Sequence, residues 1–370
     1  MSTFKITNKD KSTNARTGIL KTKSGTIETP FFMPVATKAA VKYLSSKDLK
    51  EIKADAIISN TFVLHLRPGE KTIKKLKGIK KYMNYHGINV TDSGGFQMYS
   101  PSLYIKSDAK GVWFKNPFSG SKLHITPEKD MEIQLDIGSD IAMCLDTMPL
   151  IEHSKKAIEK ACDQTFDWAL RCKKHHDKKN KQKQLLFGIC QGGIHKDLRK
   201  KSAQQISSID FDGLAIGGLA LGEEKNDELK MVKTTKSVYP ENKPCYLMGE
   251  GNPKMILEAV ALGCDMFDSR FPTQNARRGT LFTTKGKLRI FNAKYKTDNN
   301  PIDKNCNCKV CKNYSRAYIR NLLIDQEPMG RHLASYHNLY YLQNLMKQTQ
   351  EAIKKGKFKQ LLNKIKKIYS

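Results

Sequence analysis

The sequence has no apolar run near the roughly 18 residues that a membrane-spanning helix needs, and residues 1–10 are polar. We therefore expect neither a signal peptide nor a transmembrane segment, and we expect a cytoplasmic protein. Disulfide frameworks belong to oxidising compartments, and nine cysteines are an odd number. The cysteines are therefore expected to be reduced thiols or metal ligands.

Acidic residues are also scarce: the chain has 36 of them against 65 basic residues, for a formal net charge of +29. Such an excess favours a polyanionic partner, nucleic acid above all, although a general lysine bias would explain part of it. Neither a GxGxxG motif nor a P-loop is present, so the usual sequence signatures of nucleotide binding are missing. Hydrophobic residues make up 39% of 370 residues, which excludes wholesale disorder.

Eight short apolar runs alternate with longer segments of helical periodicity. Continuous apolar runs are typical of parallel strands buried on both faces, and eight such units in about 240 residues suit a closed barrel. The pattern predicts an α/β fold, a (β/α)8 TIM barrel, with a doubly wound open sheet as the alternative. The predicted strands are residues 31–36, 56–60, 88–92, 141–146, 186–191, 214–218, 245–249 and 266–268.

The chain is expected to divide into three parts. The first is the barrel, residues 1–270, with a hairpin over residues 18–29 that caps one end, because apolar and polar residues alternate there around a Ser-Gly pair. Residues 271–340 are predicted to form a C-terminal zinc-binding subdomain. Residues 341–370 are predicted to be a helical segment that completes the barrel.

Three cysteines and one histidine form the strongest local motif. Cys306, Cys308 and Cys311 lie in a polar stretch after the eighth predicted strand, and His337 follows 26 residues later. Three thiolates and one imidazole complete a closed tetrahedral zinc site, which indicates one structural Zn²⁺. The alternative is three ordinary cysteines near a surface histidine, and His332 is a possible substitute ligand. The other six cysteines are expected in the core.

Three aspartates end predicted buried strands: Asp92, Asp146 and Asp268. In a barrel these strand ends share one face, where active sites are built. Burying a carboxylate at such a position costs free energy, so a partner that pairs with it or a role in the chemistry is expected. Two opposed carboxylates can cleave a glycosidic bond, one as the nucleophile and the other moving protons. The alternative for each aspartate alone is a helix N-cap.

The sequence resembles the bacterial tRNA-guanine transglycosylases, also called queuine tRNA-ribosyltransferases, from about residue 18 to about residue 341. The motifs that carry the resemblance occur in the family's order. They are residues 35–37, 60–61, 66–69, 92–97, 188–193, 217–220, 246–249, 267–268 and 272–273, followed by the Cys/His set.

The resemblance implies a (β/α)8 barrel with a zinc subdomain, assembled as a homodimer. It also implies base exchange in queuosine biosynthesis: guanine at the wobble position of tRNA is replaced by a 7-deazaguanine through a covalent Asp-ribosyl intermediate. By motif match, Asp268 is the nucleophile and Asp92 is the general acid and base.

The same match assigns the substrate contacts. Asp146, Gln191 and the backbone of Gly218 read the purine edge, while Phe96 and Met248 enclose its faces. The residues expected to hold neighbouring nucleotides or phosphates are Lys42, Asn60, Gln97 and Arg277.

Glu223 matches the position that meets the aminomethyl group of the base preQ1, and the bulky Leu221 beside it disfavours the larger queuine. The sequence therefore favours preQ1, and queuine salvage stays open if Met148 and Leu221 repack. Ser269, Gln274 and Asn252 depart from the usual bacterial pattern. Because Asn252 replaces a residue that is often basic, and Gln274 an arginine, the anticodon contacts are expected to differ in detail.

Two other readings remain. A non-catalytic tRNA-binding subunit would keep the zinc site and the basic surface but could lose the carboxylates, which are present here. A glycoside hydrolase with paired barrel carboxylates fits poorly with the net charge and the cysteine motif.

Overall fold

The computed structural model of the chain describes residues 3–94, 102–149 and 153–369. An antiparallel sheet comes first, formed by β1 (Phe4–Lys9), β2 (Arg16–Thr22) and β3 (Gly25–Thr29). Eight parallel strands follow at intervals along the chain. They are β4 (Phe31–Pro34), β5 (Ala56–Asn60), β6 (Ile88–Asp92), β10 (Ile141–Met143), β11 (Leu185–Cys190), β12 (Gly213–Ile216), β13 (Cys245–Leu247) and β14 (Met266–Ser269).

The parallel strands form a closed ring in which each strand lies beside its chain neighbour. β14 pairs with β4 in the register Asp268–Met33. A parallel bridge between Val35 and Ile58 joins β4 to β5, and the N–H of Ala36 donates to the carbonyl oxygen of Ile58 at 2.7 Å. The predicted (β/α)8 barrel is therefore confirmed, and the open sheet is excluded.

Helices cover the outside of the ring in the intervals between strands. Several begin at side-chain caps that their sequences supply: Ser45 forms a capping box with Asp48, Thr126 precedes a proline at the first helical position, and Ser154 accepts from Ala157. These helices are α1 (Ser46–Glu51), α2 (Thr61–Leu66), α3 (Glu70–Lys75), α4 (Ile79–Met83), α5 (Pro127–Ile137), α6 (Lys155–Lys179), α7 (Lys196–Ser207), α8 (Lys225–Lys236) and α9 (Pro253–Ala261).

The predicted hairpin is present as β2 and β3, with the turn between Thr22 and Gly25. It closes the end of the barrel where the parallel strands begin. Arg16, at the start of β2, forms a buried ion pair of 2.6 Å with Asp265, which immediately precedes β14. The candidate site lies at the opposite end, where the parallel strands finish.

A second small sheet interrupts the barrel between β6 and α5, and it was not predicted. It consists of β7 (Tyr104–Asp108), β8 (Gly111–Lys115) and β9 (Lys122–Ile125). The side chains of β7 are exposed or only partly buried, so its sequence carries no apolar signal of a strand.

The chain after the barrel forms α10 (Phe271–Arg277), the hairpin β15 (Thr280–Thr283) and β16 (Gly286–Arg289), a 3₁₀ turn (Ala293–Tyr295), α11 (Lys309–Asn313), α12 (Arg316–Ile324), α13 (Pro328–Lys354) and α14 (Phe358–Ile368). The long helix α13 contains His337, and its Gln343 donates to the carbonyl oxygen of Phe32 in β4 at 3.0 Å. The predicted boundary at residue 340 falls inside α13, and the division into three parts stays a prediction. Among the described residues, no helix is both long and apolar enough to cross a membrane.

Candidate active site and metal cluster

Asp92 ends β6 at the mouth of the barrel. Nδ2 of Asn60, at the end of the neighbouring β5, lies 2.8 and 3.1 Å from its two carboxylate oxygens, and the N–H of Gly94 donates to Oδ1 at 3.0 Å. Burial, and to a smaller extent the charge of Asp268, raise the pKa of Asp92, while these donors lower it. The resulting pKa is about 7. A carboxyl group with a pKa near neutrality can both give and take a proton.

Asp268 is the penultimate residue of β14, on the same face of the barrel. Its Oδ1 accepts two hydrogen bonds, from the hydroxyl of Tyr246 at 2.5 Å and from the N–H of Gly249 at 2.9 Å. Burial raises its pKa, while these two donors and the nearby Arg270 oppose that rise. Among the described residues, Oδ2 accepts no hydrogen bond, so one oxygen is fixed and the other is free to react.

Asp146 lies three residues beyond the end of β10 and is buried. It accepts hydrogen bonds from the hydroxyl of Ser93 at 3.1 Å and from Nε2 of Gln191 at 2.6 Å. Burial raises its pKa to about 6. Oε1 of Gln191 is buried and has no hydrogen-bond partner among the described residues, so this pair can still bind a ligand donor.

Gly218 follows β12 beside this pair. Its φ of +67° lies in the left-handed region, which glycine adopts without strain. A Cβ at this position would lie 2.3 Å from Oε1 of Gln191. Only glycine therefore lets the backbone approach the Gln191 amide this closely.

The structure describes two further residues that were predicted near the base, Met248 and Glu223. Met248 is half-buried after β13, and its N–H donates to the carbonyl oxygen of Ile216 at 3.2 Å. Glu223 accepts from the N–H groups of Ala220 at 2.5 Å and Leu221 at 2.9 Å, so its carboxylate faces its own loop. The predicted contacts Phe96 and Gln97 lie outside the described residues.

Two of the predicted RNA contacts meet at Tyr43. The side-chain nitrogen of Lys42 and the guanidinium carbon of Arg277 each lie 5.9 Å from its ring centroid. Arg331, which sequence reasoning missed, lies at the same distance and donates to the Tyr43 hydroxyl at 3.0 Å. The result is a cationic surface suited to phosphates.

Asn60, the third of these residues that the structure describes, lies elsewhere. Its Nδ2 contacts Asp92, and its Oδ1 accepts a hydrogen bond from the N–H of Val63.

Arg199 was also missed. It lies on α7 and is fully buried, and its guanidinium donates to the carbonyl oxygens of Gly193 and Gly217, each at 2.8 Å. A helical spacing of three, four and seven residues places Arg199 with Ser202, Ala203 and Ile206, which are buried too. That periodicity is the one signal that separates Arg199 from the surface lysines of this helix.

The predicted metal ligands come together. Nδ1 of His337 lies 3.9, 3.5 and 3.3 Å from the sulfurs of Cys306, Cys308 and Cys311, and the four ligand atoms all lie within 4.8 Å of one another. Nε2 of His337 lies 2.7 Å from the carbonyl oxygen of Phe282, which leaves Nδ1 for a metal. The group can therefore hold a metal ion.

His332 is not part of this cluster. Its Nδ1 lies 2.7 Å from the carbonyl oxygen of Tyr43. The other six cysteines are buried, as predicted.

Comparison with known proteins agrees with this geometry. A family model described as queuine tRNA-ribosyltransferase matches residues 10–370. The chain is 48% identical to the queuine tRNA-ribosyltransferase of Lysinibacillus sphaericus (strain C3-41), over 94% of this chain and 91% of that protein. It is 48% identical to the one from Thermoanaerobacter sp. (strain X514), over 96% and 94% of the two chains. It is 45% identical to the one from Thermotoga maritima, over 96% and 95%.

The chain belongs to the queuine tRNA-ribosyltransferase family. This membership confirms the resemblance drawn from the motifs. The motif segments of the family that the structure describes supply Asp92, Asp268, Asp146, Gln191 and Gly218, all on the face where the barrel strands end.

Proposed function

We propose that this protein is a tRNA-guanine transglycosylase that replaces guanine at the wobble position of tRNA with a 7-deazaguanine. The observation that carries the proposal is the pair Asp92 and Asp268 at one barrel mouth. Asp92 has a pKa raised to about 7, and Asp268 has one oxygen that accepts no hydrogen bond from any described residue. The family membership supplies the tRNA substrate class.

The proposed reaction has two displacements at one carbon. Oδ2 of Asp268 attacks C1′ of the ribose, the bond from C1′ to N9 breaks, and the departing guanine takes a proton from Asp92. The incoming base then loses its N9 proton to the Asp92 carboxylate, N9 attacks C1′, and the Asp268 carboxylate leaves. The sugar configuration is retained because two inversions follow each other.

The base site is proposed to use the polar groups beside Asp146. A carboxylate suits the N–H donors of a guanine-type edge, and the buried amide oxygen of Gln191 has no partner within the described part of the chain. Gly218 and Met248 stand on the neighbouring strand ends. The tRNA backbone is proposed to lie on the cations around Tyr43, with Asn60 holding Asp92 in place.

Among 7-deazaguanines, we propose preQ1 as the preferred base. Glu223 and Leu221 line a small pocket with Gly218, and its other walls are apolar or glycine: Pro149, Ile158, Gly193 and Ile194. An aminomethyl group fits beside the Glu223 carboxylate, whereas the cyclopentenediol of queuine would meet Leu221.

We propose that the metal is one structural Zn²⁺. Bond lengths of 2.0–2.3 Å in a tetrahedron give ligand-to-ligand distances of roughly 3.6 Å, close to the 3.3–3.9 Å between Nδ1 of His337 and the three sulfurs. Four protein ligands leave no open position, so Zn²⁺ would hold the loop and not take part in the reaction.

We further propose a homodimer. In the part of the chain that follows the barrel, four large apolar side chains are exposed: Phe291, Tyr318, Ile324 and Met329. Large apolar side chains left exposed are typical of a protein interface where they share one face.

The experiment is incorporation of labelled guanine into unmodified tRNA that carries guanine at the wobble position, with a tRNA carrying another base there as the control. We expect incorporation into the first tRNA alone, and stronger competition by preQ1 than by queuine. Binding of tRNA without incorporation would instead support the non-catalytic subunit. Stronger competition by queuine would support the salvage enzyme.

A further inference from the structure

Arg199 is a buried cation without an anionic partner. Its side chain is fully buried, and no carboxylate lies within ion-pair distance of it among the described residues. Its Nε has no hydrogen-bond partner in residues 3–94, 102–149 and 153–369. Burying a charge without a counterion costs free energy. Its contacts therefore point to a functional role.

The two shortest hydrogen bonds of Arg199 go to backbone carbonyls of two site loops, and longer contacts of 3.5 and 3.8 Å go to the carbonyl oxygen and the sulfur of Cys190. One terminal nitrogen donates to the oxygen of Gly217, after β12, and the other to the oxygen of Gly193, after β11. Gln191, which holds Asp146, precedes Gly193 in the same loop. The guanidinium fork therefore fixes the spacing of the two loops that form the base site.

The carbonyl oxygen of Gly217 and the N–H of Gly218 belong to one peptide group. A charged donor at that oxygen withdraws electron density from the peptide and strengthens its N–H as a donor, because hydrogen bonds in series polarise one another. Among the described residues, the N–H of Gly218 has no acceptor. A Cβ placed at Gly218 would lie 3.9 Å from Nη2 of Arg199, so the guanidinium is next to this glycine.

We propose that Arg199 is a positioning residue that orients and polarises the Gly217–Gly218 peptide, so that the Gly218 N–H selects a base with a carbonyl oxygen on its six-membered ring. The inference rests on the proposed function, and it adds the residue that sets the base preference. A base with a hydrogen atom at that position offers no acceptor, and a base with an amino group opposes one donor with another.

The test compares guanine with 2-aminopurine, which lacks the oxygen, in competitive binding to the wild-type protein, Arg199→Met and Arg199→Lys. We expect the wild type to prefer guanine, and Arg199→Met to lower the guanine to 2-aminopurine affinity ratio by up to roughly 10-fold, because the Gly218 N–H is no longer held towards the base and its hydrogen bond to the ring oxygen is lost. Lysine keeps the charge but cannot contact both carbonyls as a fork, so Arg199→Lys should fall between the two.

The matched control is Arg16→Met. Arg16 is also buried and donates to two backbone carbonyls, of Glu241 and Lys243, but at the opposite end of the barrel. It should lower thermal stability and leave the affinity ratio unchanged.

The proposal would be overturned if the affinity ratio stays at the wild-type value in both Arg199 variants, including the case in which both bases bind equally more weakly. If neither Arg199 variant folds, a wild-type protein with no preference for guanine would overturn it as well. Failure of the proposed function is distinguishable, because the wild-type protein would then exchange no guanine into tRNA.

Discussion

The hydroxyl of Tyr246 lies 2.5 Å from Oδ1 of Asp268 and donates a hydrogen bond to it. Tyr246 belongs to β13 and Asp268 to the adjacent β14, so the strand pairing of the barrel sets this distance. With the N–H of Gly249 on the same oxygen, the carboxylate cannot rotate freely. Oδ2 is thereby held ready for attack on a ribose carbon.

Tyr246→Phe should slow formation of the covalent adduct by roughly 10-fold, because the carboxylate loses one of its two anchors and a charged hydrogen bond. Single-turnover kinetics with tRNA would measure this. The control is Tyr239→Phe, which removes a buried tyrosine hydroxyl that donates at 2.8 Å to the carbonyl oxygen of Ala215. An equal effect of both changes would mean that Tyr246 acts only through stability.

Asp92→Asn should reduce base exchange by roughly 10²- to 10⁴-fold, the usual contribution of a general acid or base, and leave tRNA binding nearly unchanged. In the wild type, the acid form of Asp92 is lost as the pH rises through its pKa of about 7. Departure of guanine should therefore slow above that pH. The control is Asp55→Asn, which changes a carboxyl group just before β5, at the other end of the barrel. Normal exchange by Asp92→Asn would contradict the role.

Cys308→Ser should lose the metal and lower the thermal unfolding temperature, because Cys308 supplies one of four ligands and caps α11 by accepting from the N–H of Cys311 at 3.3 Å. Elemental analysis of the purified protein should give one zinc per wild-type chain. Cys162→Ser, a change at a buried cysteine outside the cluster, should keep its zinc. Absence of zinc from a wild-type protein of unchanged stability would refute the assignment.

Glu228 and Glu250 are buried side by side near the base site, and desolvation together with their mutual repulsion raises the pKa of Glu228. The folded protein therefore holds a proton that the unfolded chain releases above a pH of about 4.5. Stability from this pair is complete below that pH and is lost as the pH rises towards the raised pKa.

Glu228→Gln should weaken this dependence, because one of the two buried carboxyl groups is gone and the new amide can donate a hydrogen bond to Glu250. We expect higher stability than the wild type at about pH 8, and little difference at about pH 5. Urea unfolding at both pH values measures it, with Glu327→Gln, a change at an exposed glutamate, as the control. A parallel shift at both pH values would show that the pair is not the cause.

The barrel was predictable because each strand is a continuous apolar run that ends in a polar or glycine residue. The metal cluster was predictable because three of its ligands lie within six residues of sequence. Contacts between distant segments were not predictable. Nothing in the sequence links Tyr43 to Arg331, or Asn60 to Asp92 as its anchor, since these contacts depend on the closed ring.

The burial of Arg199 was also not predictable from the composition of its helix. Its helix is rich in lysine and predicts a solvated surface, yet Arg199 faces the barrel because it lies on the apolar face of α7. The strands β7 and β9 escaped prediction because their side chains are largely exposed or only partly buried. The strand β8 between them is apolar and mostly buried, but it is a single short run outside the strand–helix alternation.

The most direct test is to map the covalent adduct. Wild-type protein is incubated with unmodified tRNA and denatured, and the linked peptide is identified by mass spectrometry, with Asp268→Asn alongside. We predict one tRNA-linked peptide containing Asp268, and no adduct with Asp268→Asn, which should still bind tRNA. An adduct that persists in Asp268→Asn, or that maps to Asp92, would contradict the assignment of the nucleophile.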